Sequence, residues 1–92
     1  LWPDIFGLRP AMRQTGKRLA ESGYAVLVVN PFYRTKKAPT AANGAATPIP
    51  ELRPLRAALT ETTQMTDAKA FIAWLDRQPQ VAKNRKIGTQ GY

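Results

Sequence analysis

Residues 24–30 read Tyr-Ala-Val-Leu-Val-Val-Asn, with no polar position between Ala25 and Val29. Strict alternation would indicate a strand with one wet face. An unbroken apolar run is the pattern of a strand covered on both faces, as in a parallel sheet. Such a run needs helices packed on either side of it, and the flanking sequence offers them. A helix is expected over about 10–22; Leu8, Met12 and Leu19 lie on one side at helical spacing, with Gly16 on the same stripe and Arg9, Arg13, Lys17 and Arg18 at the wetter positions. A glycine inside a helix costs about 1 kcal/mol against alanine, so Gly16 implies a close backbone approach. Gly23 stands where a helix C′ glycine ends the turn.

Asn30-Pro31 stops the apolar run, and residues 31–54 form a long connection. It carries Pro31, Pro39, Pro48, Pro50 and Pro54, with a turn signal at Asn43-Gly44. Connections of this length are functional excursions or disordered stretches. A second helix is expected over 59–77, with Met65, Ala68, Ile72 and Leu75 on one stripe and Phe71 and Trp74 widening it. Gln78-Pro79 ends that helix, because a residue before proline avoids the helical region. A short strand over 86–90 then leads into Gly91-Tyr92. The chain opens on the apolar stretch Leu1-Trp2-Pro3-Asp4-Ile5-Phe6-Gly7, where Pro3 confines any strand to its last residues. Strand end, helix, strand, helix, strand is the order of a parallel α/β sheet with right-handed crossovers.

Composition narrows the chemistry. There is no Cys and no His, which excludes disulfides, Cys/His metal sites and histidine acid–base catalysis within these residues. Fourteen Lys and Arg against six Asp and Glu give a net charge of +8, a footprint that raises nucleic-acid binding as a reading. The basic residues are scattered, however, and no aromatic residues interleave with them as stacking platforms, so they read as solvated faces. No apolar run approaches the roughly 20 residues of a membrane span. The opening Leu1-Trp2-Pro3-Asp4 carries no initiator Met and no signal-peptide pattern. This start is expected of a segment inside a longer polypeptide, or of a processed one.

Two stretches carry a resemblance to the dienelactone hydrolase family. Leu1-Trp2-Pro3-Asp4-Ile5-Phe6-Gly7-Leu8 is similar to the segment leaving that family's third sheet strand, and Lys86-Ile87-Gly88-Thr89-Gln90-Gly91-Tyr92 to the strand entering its nucleophile elbow. Between them, Leu19-Ala20-Glu21-Ser22-Gly23-Tyr24, Pro31-Phe32-Tyr33-Arg34 and Ala73-Trp74-Leu75-Asp76-Arg77-Gln78-Pro79 fall where the family has a helix end, a post-strand loop and a helix. The resemblance implies a partial α/β-hydrolase domain over 1–92, a mostly parallel sheet flanked by helices and incomplete in this chain.

It also implies a hydrolase for ester or lactone bonds with a Cys- or Ser-His-Asp triad beyond residue 92, a small-molecule ester or lactone substrate, and the remainder of the same hydrolase domain as the structural partner. No cofactor, metal, nucleic acid or membrane partner is implied, and the setting is cytoplasmic. Carried over by position, Ile5 supplies a backbone N–H to the oxyanion hole, which needs donors aimed where negative charge develops. Asp4 stands at the acid near the nucleophile; read locally, it is an N-cap or turn acid. Arg53 and Arg56 are candidates for a substrate carboxylate; read locally, they are surface charge. Tyr33 and Trp74 read as packing residues, and Tyr92 as a support beneath the elbow. The competing readings are a non-catalytic α/β binding module and a basic nucleic-acid-binding fragment. The first lacks any Gly-x-Gly-x-x-Gly or P-loop pattern after a strand.

Overall fold

A computed structural model describes residues 1–41 and 47–92, in the order α1 (Pro10–Glu21), α2 (Ile49–Ala57) and α3 (Glu61–Asp76). The Asn43-Gly44 turn signal lies outside the described residues.

Pro10 opens α1 at a position where a missing N–H costs nothing, and Gly23 closes it at φ 103°. Gly23 N–H donates to Ala20 O at 3.0 Å and Tyr24 N–H to Leu19 O at 3.4 Å, the paired bonds of a Schellman end. Leu8, Met12 and Gly16 are buried along the expected stripe. A side chain at Gly16 would run into the γ2 methyl of Val28, so the glycine lets the helix lie directly on the apolar run.

The expected strands differ from what is observed. Among the described residues no stretch forms a named strand; the pairing is one isolated parallel bridge, Trp2 to Gly91. Residues 24–30 and 86–90 carry neither helix nor turn. The reason lies in what stands between them. The Leu1 amino group donates to Leu27 O at 2.8 Å and Val29 N–H to Leu1 O at 3.2 Å, while Trp2 N–H turns the other way to Gln90 O at 2.8 Å. Leu1-Trp2 is thus a central line with a parallel neighbour on each side. Its pairing ends where Pro3, which has no N–H, takes over. Two residues cannot zip two longer segments into a ladder.

Leu1 and Trp2 also face opposite ways. The Leu1 side chain lies near Gly16 of α1, and the Trp2 ring packs against Phe71 of α3 at 5.7 Å between centroids. The helices therefore cover opposite faces of the line, as two successive right-handed crossovers running in opposite directions require.

Two further expectations change. Residues 31–54 are not a helix-free connection: α2 begins at Ile49, and Phe32, Thr40, Ala41 and Leu52 from this stretch are buried, Leu52 to 2 % exposure. The prolines that mark a loop also suit a helix start, and Pro50 sits in the first turn of α2. In α3 the expected stripe is only partly used. Phe71 and Leu75 are half-buried, but Met65 and Trp74 stay 55 % and 45 % exposed, and the buried residue is Asp67.

Candidate functional site

The first crossover runs from the Leu1-Trp2 line through α1 to residues 24–30, and the second returns from there through α3, across the line, to residues 86–90. In open α/β structures such a reversal opens a crevice beyond the carboxyl ends of the strands, where ligands bind. The residues just after Trp2 lie past the carboxyl end of that line.

Pro3 is buried, and Asp4 to Gly7 then form a tight turn closed by Gly7 N–H donating to Asp4 O at 2.9 Å. Phe6 N–H donates to Asp4 Oδ1 at 3.0 Å. With Phe6 and Gly7 engaged, Ile5 at the second position of the turn is the residue whose backbone N–H has no hydrogen-bond partner among the described residues. Gly7 fixes the exit. Its φ of 76° favours glycine, and a side chain there would collide with Thr40 Oγ1 and crowd the Phe32 ring. Thr40 Oγ1 in turn donates to Phe6 O at 3.1 Å, pinning the turn to the segment that follows the apolar run.

Asp4 sits in this turn rather than at the N-cap of α1, which is Arg9. Arg9 grips the carboxylate with both guanidinium nitrogens, Nη1 to Oδ1 at 2.7 Å and Nη2 to Oδ2 at 3.0 Å, and also donates to Gly7 O at 3.1 Å. Partial burial pushes the Asp4 carboxyl up, but the Arg9 and Phe6 hydrogen bonds and the Arg9 charge outweigh it and hold its pKa below the ordinary aspartate value. A carboxylate fixed in this way shapes the turn that presents the Ile5 amide.

A second polar cluster ties the loop after the apolar run to α3. Asp67, 2 % exposed, accepts from Arg34 Nη1 and Nη2 at 2.8 and 2.6 Å and from Tyr33 Oη at 2.9 Å. The hydrogen bond to Asp67 raises the Tyr33 pKa above its ordinary value, and the same partner raises that of Arg34. The Tyr33 ring meets Phe71 edge-on at 6.5 Å, so Trp2, Phe71 and Tyr33 form a continuous aromatic contact beside the central line. Tyr33 thus packs as expected but also carries a hydrogen bond.

Arg53 and Arg56 are exposed on α2, and Arg56 donates to Leu59 O at 3.4 Å. No hydrogen bond or ion pair among the described residues joins either to the turn at Ile5. Tyr92 is exposed, accepts from Gln90 Nε2 at 2.9 Å, and shares a shallow hollow with Thr15 and Arg18 of α1 and the adjoining Ser22. Arg9, Arg34 and Asp67 were not singled out by sequence reasoning. Asp67 did leave a signal: it lies one helical turn before Phe71 and two before Leu75, an acid standing on an apolar stripe.

Among the described residues, then, helices lie on both faces of a line held by one parallel bridge, with an unpaired amide just past its carboxyl end. The chain belongs to the dienelactone hydrolase family, whose model matches residues 1–92. That family implies an α/β-hydrolase fold and hydrolase-like function. Searches of curated proteins and of solved structures give no match. Among the described residues no helix is long and apolar enough to cross a membrane.

Proposed function

We propose that this segment serves an enzyme that hydrolyses ester or lactone bonds, with the Ile5 N–H as one oxyanion-hole donor. The observation that carries this reading is the Ile5 amide itself. It is unpaired, sits in a turn that engages the Phe6 and Gly7 amides, and lies just past the central line that the second crossover spans. The Trp2–Gly91 bridge sets the end of the 86–90 segment beside that line, so a nucleophile following Tyr92 on a strained elbow would rise next to the turn. A Cys or Ser there attacks the carbonyl carbon. The carbonyl oxygen gains the charge that Ile5 N–H stabilises, and a His held by an Asp relays the proton to the leaving alkoxide. Nucleophile, His and Asp all lie beyond residue 92 in this reading. Asp4 holds the turn from beside the nucleophile, Arg53 and Arg56 are the exposed cations available to a substrate carboxylate, and the remainder of the hydrolase domain completes the sheet.

The test removes a single hydrogen. Proline is well tolerated at the second position of a tight turn, so Ile5→Pro deletes the N–H while sparing the turn. Hydrolysis of p-nitrophenyl acetate by the full-length protein should fall about 100- to 1000-fold in kcat, the usual cost of losing one oxyanion donor. Ile5→Ala, which keeps the N–H, should stay near the parent. Equal activity of Ile5→Pro and Ile5→Ala would remove Ile5 from the chemistry. Inactivation by a thiol alkylator separates Cys from Ser as nucleophile.

A further inference from the structure

Arg9 stands at the N-cap of α1 with extended backbone, φ −149° and ψ 172°, and its side chain makes no capping bond. That position ordinarily holds Ser, Thr, Asp or Asn, whose oxygen accepts from the first free amides of the helix. A guanidinium carries donors and no acceptor, so it gives the helix nothing there. Its donors turn back onto the preceding turn instead. Natural sequences break local rules of this kind at functional sites.

We infer that Arg9 is a positioning residue of the oxyanion hole: its guanidinium locks the Asp4–Gly7 turn so that the Ile5 N–H stays aimed at the oxygen that gains charge. This role rests on the Ile5 amide serving as an oxyanion donor in ester or lactone hydrolysis.

The pattern of contacts carries it. Arg9 Nη1 donates to Asp4 Oδ1 at 2.7 Å and to Gly7 O at 3.1 Å, and Nη2 donates to Asp4 Oδ2 at 3.0 Å. The same group lies over the Phe6 ring, 5.5 Å from its centroid. Arg9 thus meets the first, third and fourth residues of the turn. No hydrogen bond among the described residues joins it to the second, Ile5, whose N–H stays free. One planar group spans both ends of a turn that is otherwise closed by the single bond from Gly7 N–H to Asp4 O. Thr40 Oγ1 holds Phe6 O at 3.1 Å, so every residue of the turn except Ile5 is tied to a side chain outside it.

Burial and chemistry separate positioning from simple stabilisation. The Arg9 side chain is 17 % exposed and that of Asp4 35 %, so the guanidinium is the more enclosed partner. With both of its oxygens engaged, Asp4 is committed to the turn. An ion pair with this much solvent contact adds little to global stability. A displacement of about 1 Å at a reacting group, by contrast, costs up to about 100-fold in rate. Loss of Arg9 should therefore show in kcat far more than in folding.

The test follows p-nitrophenyl acetate hydrolysis by the full-length protein together with its urea midpoint. Arg9→Met removes every donor and keeps an apolar stem beside Phe6. It should lower kcat about 10- to 100-fold, with KM within about threefold of the parent and the urea midpoint nearly unchanged. Arg9→Lys, a point charge that cannot grip both carboxylate oxygens and Gly7 O together, should fall between Arg9→Met and the parent. Arg13→Met, at an exposed cation one turn along α1, should match the parent. The double variant separates mechanisms. Because Arg9 acts through the Ile5 N–H, Arg9→Met should cost less than about threefold in kcat in an Ile5→Pro background.

An undiminished loss in that background overturns the inference, as does a KM that rises while kcat holds, which would make Arg9 a substrate contact. Arg9→Met within about threefold of the parent, when Ile5→Pro alone falls by about 100-fold or more, overturns it as well. A large drop of the urea midpoint in Arg9→Met and Arg9→Lys alike would make the clamp structural and also overturn it. If Ile5→Pro alone costs nothing, the oxyanion role of Ile5 fails and the role of Arg9 falls with it, a failure visible without any Arg9 variant.

Discussion

Asp67 is the buried charge whose replacement gives the sharpest energetic prediction. Asp67→Asn keeps the shape and one carbonyl oxygen but loses the charge, and turns an NH₂ group towards the Arg34 guanidinium, which can only donate. Arg34 Nη1 and Nη2 at 2.8 and 2.6 Å and Tyr33 Oη at 2.9 Å all lose part of their acceptor. Hydrogen bonds to charged groups contribute about 1.5–3 kcal/mol each. The Arg34 side chain is 43 % exposed, so it can turn to water, and the full sum does not apply. A net loss of about 2 kcal/mol is expected, in the range for breaking a partly solvated pair.

Urea denaturation of the full-length protein reads this as a lower midpoint at unchanged slope. Asp67→Leu should cost less, under about 1 kcal/mol, because it removes the carboxylate's desolvation together with its bonds and strands no buried charge. A spectroscopic reading accompanies the energetic one. The Tyr33 pKa is raised chiefly by its hydrogen bond to Asp67, so both variants should bring its phenol back down. Asp67→Asn within about 0.5 kcal/mol of the parent, with Tyr33 titrating unchanged, would refute the energetic role of this cluster.

Local rules with a short reach were legible in the sequence. The bounds of α1 follow from Pro10 and Gly23, and the end of α3 from Gln78-Pro79, and the structure places both helices within about two residues of the expected 10–22 and 59–77. The close approach at Gly16 was equally legible, because a glycine on an apolar stripe has few other reasons to be there. What the sequence hid depends on partners far along the chain. Tyr33 and Arg34 find Asp67 more than 30 residues away, and Thr40 finds Phe6 at a similar separation, so no spacing rule connects them.

The expected strands did not form as a sheet, for a related reason. An apolar run specifies a buried strand only when its neighbours are long enough to pair with it, and Leu1-Trp2 reaches only a short way along residues 24–30. The resemblance pointed to Ile5 and Asp4, which the structure places together in one tight turn. That Arg9 closes the Asp4 turn was not legible, because an arginine just ahead of a helix reads as a wet position.

Two positive-φ glycines give paired expectations. Gly7→Ala should cost about 2–4 kcal/mol, combining left-handed strain with overpacking against Thr40 and Phe32, whereas Gly23→Ala, with open space around it, should cost only about 1 kcal/mol. Similar midpoints for the two in urea would mean that the Gly7 crowding is relieved by movement. The last prediction concerns acid. The Asp4 pKa is depressed in the folded chain, so the folded state binds fewer protons there than the unfolded one. The stabilisation from Asp4 is therefore fully present above the ordinary aspartate pKa and is lost as pH falls through the depressed folded value. The carboxylate is 35 % exposed, so screening limits the effect to under about 1 kcal/mol. Asp4→Asn should lower stability near neutral pH and converge with the parent at the acid end, with the difference shrinking in high salt. A stability difference that is flat across the acid limb would show that Asp4 acts through its turn geometry alone, since an asparagine can accept from Phe6 N–H but cannot answer the Arg9 charge.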